Sequence, residues 1–363
     1  MSTRPRLSYE DLPRQLNLAT HFLDRHLDAG DGDRTALIAP DGRASYADVA
    51  RLANRTGHVL RELGVRAEER VLLVLADSLE FVAAWYGAIK IGAVTAEAYT
   101  FLPAKDYAYY LDYTRAGVAI ADARTLDVMR SAAAESRWLR TLLVVGVPQQ
   151  ELREGEASFD ALVAEAPDEL DPAPTTRDDI ALWKFTTGST GAPKAAVHPH
   201  HSPVLSCAWY ADGVLGLRPD DVVLPVPKLF FGYARDMTAL FPFGCGAAGI
   251  VFAEQSTPER LFALIDQHRP TVLVNVPTMM AKMVGHPEAE TADLSSLRLC
   301  TSAGEALPEA LHRRWLDRFG VEVLDGIGSS EAYHIYISNR PGRARPGTLG
   351  EVVPGYRARV VGP

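Results

Sequence analysis

Cysteine is sparse in this sequence. Cys207, Cys245 and Cys300 are the only three in 363 residues, they stand far apart, and no pair has CxxC spacing. That pattern excludes a disulfide framework, does not make a zinc site, and fits a reducing compartment. Cys300, in the apolar run LRLCTSAG, reads as a packed core residue. Positive charge is also in the minority, with 37 Lys and Arg against 46 Asp and Glu and a net charge of −9. Binding along a nucleic-acid backbone needs a clustered excess of cations, so nucleic acid is not expected as a partner, and any anion site must be local. No apolar run reaches about eighteen residues, so no membrane-spanning helix is expected. The opening MSTRPRLSYEDLPRQ has no apolar signal core. The sequence shows no fixed-period repeat and no low-complexity tract. A soluble, cytoplasmic protein is the expectation.

What is present is a chain that can bury a core, with 47% hydrophobic and 23% charged residues. Apolar runs alternate with helical patterns. RVLLVLA, VAIAD and RTLLVVG read as strands; SLEFVAAWYGAIKIG reads as a helix stopped at Gly92. The charged and Pro-rich stretch from Pro148 to Asp179 reads as a surface connection between lobes. Beyond it, IALWKF, VVLPVP, GIVFA, TVLVNVP, LRLCTSAG and VEVLDG are strand-like, with TPERLFALIDQH and PEALHRRWLDRF helical among them. Strands separated by helices of this length imply parallel pairing and an α/β fold. Ligands bind such sheets at the carboxyl ends of strands, which points at the turns after Phe185, Pro227, Ser302 and Asp325.

Three of those turns carry chemistry. FTTGSTGAPK, Phe185 to Lys194, follows a strand and packs four hydroxyls and two glycines into TTGSTG, with Lys194 three residues beyond Gly191. Glycines let backbone approach a phosphate while hydroxyls and N–H groups donate to it. The segment is not the GxxxxGK[ST] loop, since Pro193 precedes the lysine and Ala195 follows it. By composition alone such a segment is more often a linker or turn; the preceding strand and the lysine reverse this in favour of a triphosphate. GIGSSE, Gly326 to Glu331, ends a strand on a carboxylate beside two hydroxyls, which suits Mg²⁺ as well as it suits a plain surface turn. TSAGEALP, Thr301 to Pro308, places Gly304 at a strand end and Glu305 near a helix that opens at Pro308.

In this order and spacing the three motifs resemble the adenylate-forming superfamily of acyl- and aryl-CoA ligases, peptide-synthetase adenylation domains and firefly-type luciferases. KLFFGYARD, SAGEALP and DGIGSSEAYHIYISNRPG together resemble its benzoate-CoA ligase branch, and the likeness runs from about Leu18 to the end. It implies two flavodoxin-like parallel-sheet lobes, residues 1–175 and 176–340 with the site on the second, then the beginning of a β-barrel lobe over 341–363. It implies ATP-dependent activation of an aromatic carboxylic acid to an aryl-adenylate, then transfer to CoA. Alternatives are transfer to the phosphopantetheine of an acyl carrier protein, or a non-catalytic nucleotide- or acid-binding module. A homodimer is among the assemblies considered.

By that resemblance Thr187, Gly188, Ser189, Thr190 and Gly191 wrap the β- and γ-phosphates, and Lys194 adds charge. Ser330 bonds near the α-phosphate and Glu331 binds Mg²⁺. Thr187, Lys194, Ser330 and Glu331 form the catalytic set. Gly304, Glu305 and Ala306 lie on one side of adenine, with Asp325, Gly326, Ile327 and Gly328 on the other. Many relatives carry tyrosine at the position of Ile327; the benzoate branch carries isoleucine. For the acid, Phe231, Gly232, Tyr233 and Ala234 form one wall. Ser302, Ala303, Ile327, Gly328, His334 and Ile335 complete the pocket, and flat apolar walls suit an aromatic ring. Gly232 is smaller than the expected alanine, and Arg235–Asp236 replaces apolar or small residues. Extra room and polarity, with Asp236 included in the site, suggest a hydroxy- or aminobenzoate; alternatively Arg235 and Asp236 pair on a helix surface.

His198, His200 and His201 lack a companion Cys or carboxylate cluster, so no zinc is expected there. The superfamily also has a ribose-binding aspartate in a TGD-like motif, a hinge and a mobile C-terminal domain with a catalytic lysine. None occurs before this sequence stops at GYRARVVGP. It is read either as a piece of a longer enzyme or as one whose remainder is supplied separately. Loss of such a lysine is expected to cost on the order of 10²–10³ in rate.

Overall fold

The computed structural model describes residues 7–186 and 192–362. The chain divides into two compact units: Leu12–Ser202, and Pro203–Pro363 with the N-terminal stretch that ends at Asp11. No helix among the described residues is long and apolar enough to cross a membrane.

The Leu12–Ser202 unit opens with a hairpin of β1 (Thr35–Ala39) and β2 (Gly42–Ser45). Its main sheet uses β3 (Arg70–Val74), β4 (Val94–Glu97), β5 (Val118–Asp122), β6 (Thr141–Val145), β7 (Glu156–Ser158), β8 (Ile180–Thr186) and β9 (Lys194–Pro199). The order is β7-β6-β5-β3-β4-β8-β9, and every neighbouring pair is parallel except β8–β9. The central strands β3, β4 and β5 are buried at almost every position, as parallel strands covered on both faces must be. Helices α1 (Arg25–Asp28), α2 (Tyr46–Glu62), α3 (Leu79–Lys90), α4 (Ala104–Thr114), α5 (Leu126–Ala133) and α6 (Phe159–Glu165) connect the strands. Ser45 and Asp48 close a reciprocal capping box on α2, Ser78 caps α3, and Gly92, at φ +79°, follows the end of α3 in the left-handed conformation the turn requires.

Helices α2 and α3 meet through glycine. A Cβ on Gly87 would lie 2.5 Å from the Ala53 carbonyl oxygen and 3.1 Å from the Gly57 nitrogen. Gly87→Ala is therefore expected to lower stability by about 1–3 kcal/mol, because overpacking against backbone outweighs the helix-propensity gain of about 1 kcal/mol. Urea denaturation of the two proteins measures it.

The second unit follows α7 (His201–Ser206), at which the division falls. It contains β10 (Val222–Pro225), β11 (Ala248–Ile250), β12 (Val272–Asn275), β13 (Leu299–Ser302), β14 (Val323–Gly328), β15 (Ile335–Ser338) and β16 (Glu351–Val352). These run in the order β16-β15-β14-β13-β12-β10-β11; the set from β11 to β14 is parallel, and β14–β15 and β15–β16 are antiparallel. Its helices are α8 (Gly232–Arg235), α9 (Pro258–His268), α10 (Pro277–Gly285) and α11 (Glu309–Phe319). Trp315 of α11 and Phe241 and Phe243 are fully buried in this unit, and Cys300 is buried in β13 as the apolar run suggests.

Two features differ from the sequence reading. The stretch 148–179 is not bare connection: it holds the edge strand β7 and helix α6, with Phe159, Val163 and Leu170 buried. The division falls at Ser202–Pro203 rather than near residue 175, because β8 pairs with β4 and carries β9 with it into the first sheet.

Candidate active site

The expected site residues fall in both units. In the first, β8 turns back as β9, with Phe185 opposite Ala195 and Thr186 opposite Lys194. Thr187, Gly188, Ser189, Thr190 and Gly191 lie outside the described residues. The described ends of this segment are held by one face of α4. The Tyr109 hydroxyl donates to the Pro193 carbonyl at 2.8 Å, and Tyr110 and Tyr113 pack on Phe185 with ring centroids 4.2 and 5.7 Å away. Lys194 is exposed, so its ammonium is available to an anion. The three histidines nearby have separate engagements. The Leu18 amide donates to His200 Nδ1 at 3.2 Å, His201 Nδ1 lies 2.9 Å from the Arg177 carbonyl, and His198 is buried on β9.

In the second unit the site residues gather at the carboxyl ends of β13 and β14. These strands are parallel neighbours, and Ser302 pairs in register with Asp325. Both side chains are buried. Burial pushes the Asp325 carboxyl up to about 6, against the Ser302 hydroxyl and the Gly326 amide, which lower it. The Asp325 carbonyl accepts from Asn339, from the backbone N–H at 3.0 Å and from Nδ2 at 3.1 Å. After β13, Ala303 is buried while Gly304 (φ +88°), Glu305 and Ala306 are exposed. Glu305 has a role at a different helix from the one expected. Its carboxylate accepts from the Thr278 amide at 3.0 Å and the Thr278 hydroxyl at 2.6 Å, satisfying the first turn of α10 rather than α11.

Beyond Asp325, Gly326 and Gly328 are required by the close approach of β15. A Cβ would come within 2.8 Å of the Ile337 carbonyl at the first and 2.6 Å of the His334 carbonyl at the second. Ile327 between them is exposed, offering an aliphatic flat surface. The chain then makes a tight turn. Ala332 N donates to Ser329 Oγ at 3.2 Å, Tyr333 N donates to the Ser330 carbonyl at 3.3 Å, and Tyr333 takes a left-handed φ of +75°. Glu331 is exposed at the turn. Among the described residues no group of three or more His, Cys, Asp and Glu side chains could hold a metal. One exposed carboxylate fits a hard cation that takes its remaining oxygens from phosphate and water.

The acid-pocket residues are brought together in part. Gly328 pairs with Ile335 across β14–β15. His334 is buried and surrounded by Tyr210, Tyr233 and Phe241, at centroid distances of 5.4, 5.6 and 4.7 Å, and its Nε2 lies 3.4 Å from the Tyr233 carbonyl. Tyr233 in turn shares a 2.7 Å hydrogen bond with Thr301, and burial raises its phenol pKa well above the usual value. Phe231 is exposed at the start of α8, Gly232 and Tyr233 are half-buried, and Ala234 is buried. Arg235 and Asp236 do pair, but in the interior rather than on a helix surface. Arg235 Nε and Nη2 reach Asp236 Oδ1 at 3.1 and 2.9 Å, with both side chains almost wholly buried.

The sequence reading missed Tyr109, Tyr210, Phe241, Thr301 and Asn339. The spacing of Tyr109, Tyr110 and Tyr113 was a usable signal, since it marks an aromatic stripe on α4. The partners of the others are remote in sequence.

Comparison with known proteins agrees with this geometry. The AMP-binding enzyme family matches residues 23–363. The chain is 39% identical over 351 residues to the benzoate–CoA ligase of Thauera aromatica, covering 96% of this chain and 66% of that protein. It is 38% identical to the 4-hydroxybenzoate–CoA/benzoate–CoA ligase of Rhodopseudomonas palustris, covering 96% of this chain and 64% of that one. Its fold matches the crystal structure of the anthranilate CoA ligase AuaEII in complex with anthranoyl-AMP, with a TM-score of 0.93, 36% identity, and 97% and 67% coverage. The chain thus spans just under two thirds of the two ligases it matches in sequence. With a family match over nearly its whole length, the chain belongs to the AMP-binding enzymes.

Proposed function

We propose that this chain carries the aryl-acid and ATP site of an acid–thiol ligase. The observation that supports it most is the register of β13 and β14, which pairs Ser302 with Asp325 so that the two motifs begin on adjacent parallel strands. In the proposed reaction a carboxylate oxygen of the acid attacks the α-phosphorus of ATP. The bond to the β-phosphate bridging oxygen breaks, leaving an aryl-adenylate and pyrophosphate. The thiol of CoA then attacks the carbonyl carbon, loses its proton, and releases AMP. A carboxylate is a poor electrophile; the mixed anhydride supplies the leaving group. CoA is favoured over a carrier-protein phosphopantetheine because all three ligases named above are CoA ligases.

In this reading Thr187–Gly191 and Lys194 receive the β- and γ-phosphates, and Ser330 donates near the α-phosphate. Gly304–Ala306 and Asp325–Gly328 flank the adenine. Glu331 would hold Mg²⁺, which screens the phosphate charge that builds as the α-phosphorus is attacked. Phe231–Ala234, Asp236, Ser302, Ala303, Ile327, Gly328, His334 and Ile335 form the acid pocket, with Tyr233 and His334 already in contact. Residues 341–363 are read as the start of a barrel-like lobe. The sparse cysteines support a cytoplasmic location, and a homodimer is the proposed assembly.

The proposed acid is a hydroxy- or aminobenzoate. Two features support it: the sequence has Gly232 where a larger alanine is expected, and Tyr233, Thr301 and His334 place polar atoms among aromatic rings. Acid-dependent exchange of labelled pyrophosphate into ATP tests this across benzoate, the three hydroxybenzoates, 2-aminobenzoate and a fatty acid. A substituted benzoate should give the highest kcat/KM. Unsubstituted benzoate or the fatty acid winning would sink the assignment.

A further inference from the structure

The turn from Ser329 to His334 carries the proposed metal-binding Glu331, and three hydrogen bonds within it are long, at 3.2, 3.3 and 3.4 Å. It is held instead from outside. Tyr333 is buried beside the Arg235–Asp236 pair, whose charges act on its phenol. From the other side, the Tyr356 hydroxyl donates to the Ala332 carbonyl at 2.8 Å, across 24 residues of sequence.

Tyr356 is itself preset. Val353 is fully buried and its N–H donates to the Tyr336 carbonyl of β15 at 2.9 Å. The Tyr356 N–H donates to the Val353 carbonyl at 3.1 Å. Gly355, at φ +103°, lies flat against the Trp209 indole, which fills the space a Cβ would need. Trp209 meets the Tyr356 ring edge-on at 5.3 Å and donates its Nε1 to the Leu7 carbonyl at 2.7 Å. A strap over Val353–Tyr356 therefore brings the Tyr356 hydroxyl, which also meets the Ser206 side chain, to the carbonyl of the residue next to Glu331.

We infer that Tyr356 is a positioning residue. By holding the Ala332 carbonyl, it fixes the direction in which Glu331 presents its carboxylate to the divalent cation that accompanies a bound nucleotide. The inference rests on the proposed ATP site and extends it to a residue outside the three motifs. The ring and the hydroxyl separate cleanly here. Phenylalanine keeps the packing on Trp209 and Tyr336 and removes only the hydroxyl that holds the part-buried Ala332 carbonyl. What is lost is direction rather than fold.

Calorimetric titration of ATP, once with Mg²⁺ and once with EDTA, gives the gain in affinity due to the metal. Tyr356→Phe should reduce that gain roughly five-fold, the value of one ordinary hydrogen bond, with affinity in EDTA and the melting temperature unchanged. Glu331→Gln should abolish the gain. Hydrogen exchange at the Tyr333 amide should quicken in Tyr356→Phe. An undiminished metal gain in Tyr356→Phe, or an equal loss with and without metal, overturns the positioning role and leaves the ATP site standing. A wild-type protein that binds ATP equally in Mg²⁺ and EDTA overturns the metal site, and the inference with it.

Discussion

Arg235→Met is expected to destabilise the protein by about 3–5 kcal/mol, the usual cost of leaving one member of a buried ion pair without the other. The two side chains are 2% and 0% exposed, so water cannot take the place of the guanidinium beside Asp236. Adjacent residues on a regular helix do not face one another. Here α8 passes directly into a π-helical stretch at Asp236, and the pair closes on a single oxygen, Oδ1. Adding Asp236→Asn to Arg235→Met should recover most of the loss, since the cost comes from the stranded charge rather than from the missing attraction. Equilibrium denaturation of wild type, both single variants and the double variant forms the cycle. Additive losses would mean that the pair is not coupled.

Acidification should unfold the first unit through His200. This ring is 1% exposed, and its Nδ1 accepts the Leu18 amide, which requires the neutral form. Burial lowers its pKa from 6.5 to about 4. Below 6.5 the unfolded chain takes up a proton that the folded one refuses, so stability falls with pH until about 4. The loss is about 2 kcal/mol by pH 5 and about 3 by pH 4. Asp325 runs the other way. Its carboxyl is raised from 3.8 to about 6, so it favours the folded state below 3.8 and loses that contribution as pH rises through 6. The clean readout is the difference between wild type and His200→Gln, measured at pH 7.5 and 5. The variant should lack about 2 kcal/mol of the acid-induced loss. Parallel pH profiles for the two proteins would mean that folding leaves the pKa of His200 unshifted.

The sequence is most informative where a single element carries its own signal. RVLLVLA, VAIAD, RTLLVVG and TVLVNVP each form the expected strand, because a fully buried parallel strand is a short apolar run whatever its neighbours do. The fold class and the strand-end motifs follow from that alternation. Strand β7 was hidden because its three residues, Glu156–Ser158, sit at a sheet edge and carry no apolar run. The π-helical stretches Cys207–Leu215 and Asp236–Leu240 differ from α-helix by less than one residue per turn, too little to read from a pattern of that length. The rest is remote pairing. Glu305 finds Thr278 and Tyr356 finds Ala332 across more than twenty residues of chain, and no local propensity records either contact. The interior position of Asp236 was obscured by its own charge, since an Arg–Asp dipeptide ordinarily marks a surface.

The antiparallel return of β9 has a consequence for changes in chain length. In this unit β9 lies at the end of its sheet, paired with β8 alone. A change in length between Thr186 and Lys194 would shift the register of that one border strand, and the central strands β3, β4 and β5 would not have to repack. Such a change would therefore be felt by the nucleotide before it is felt by the core, whereas a change in length after β13 or β14 would press on interior strands at once.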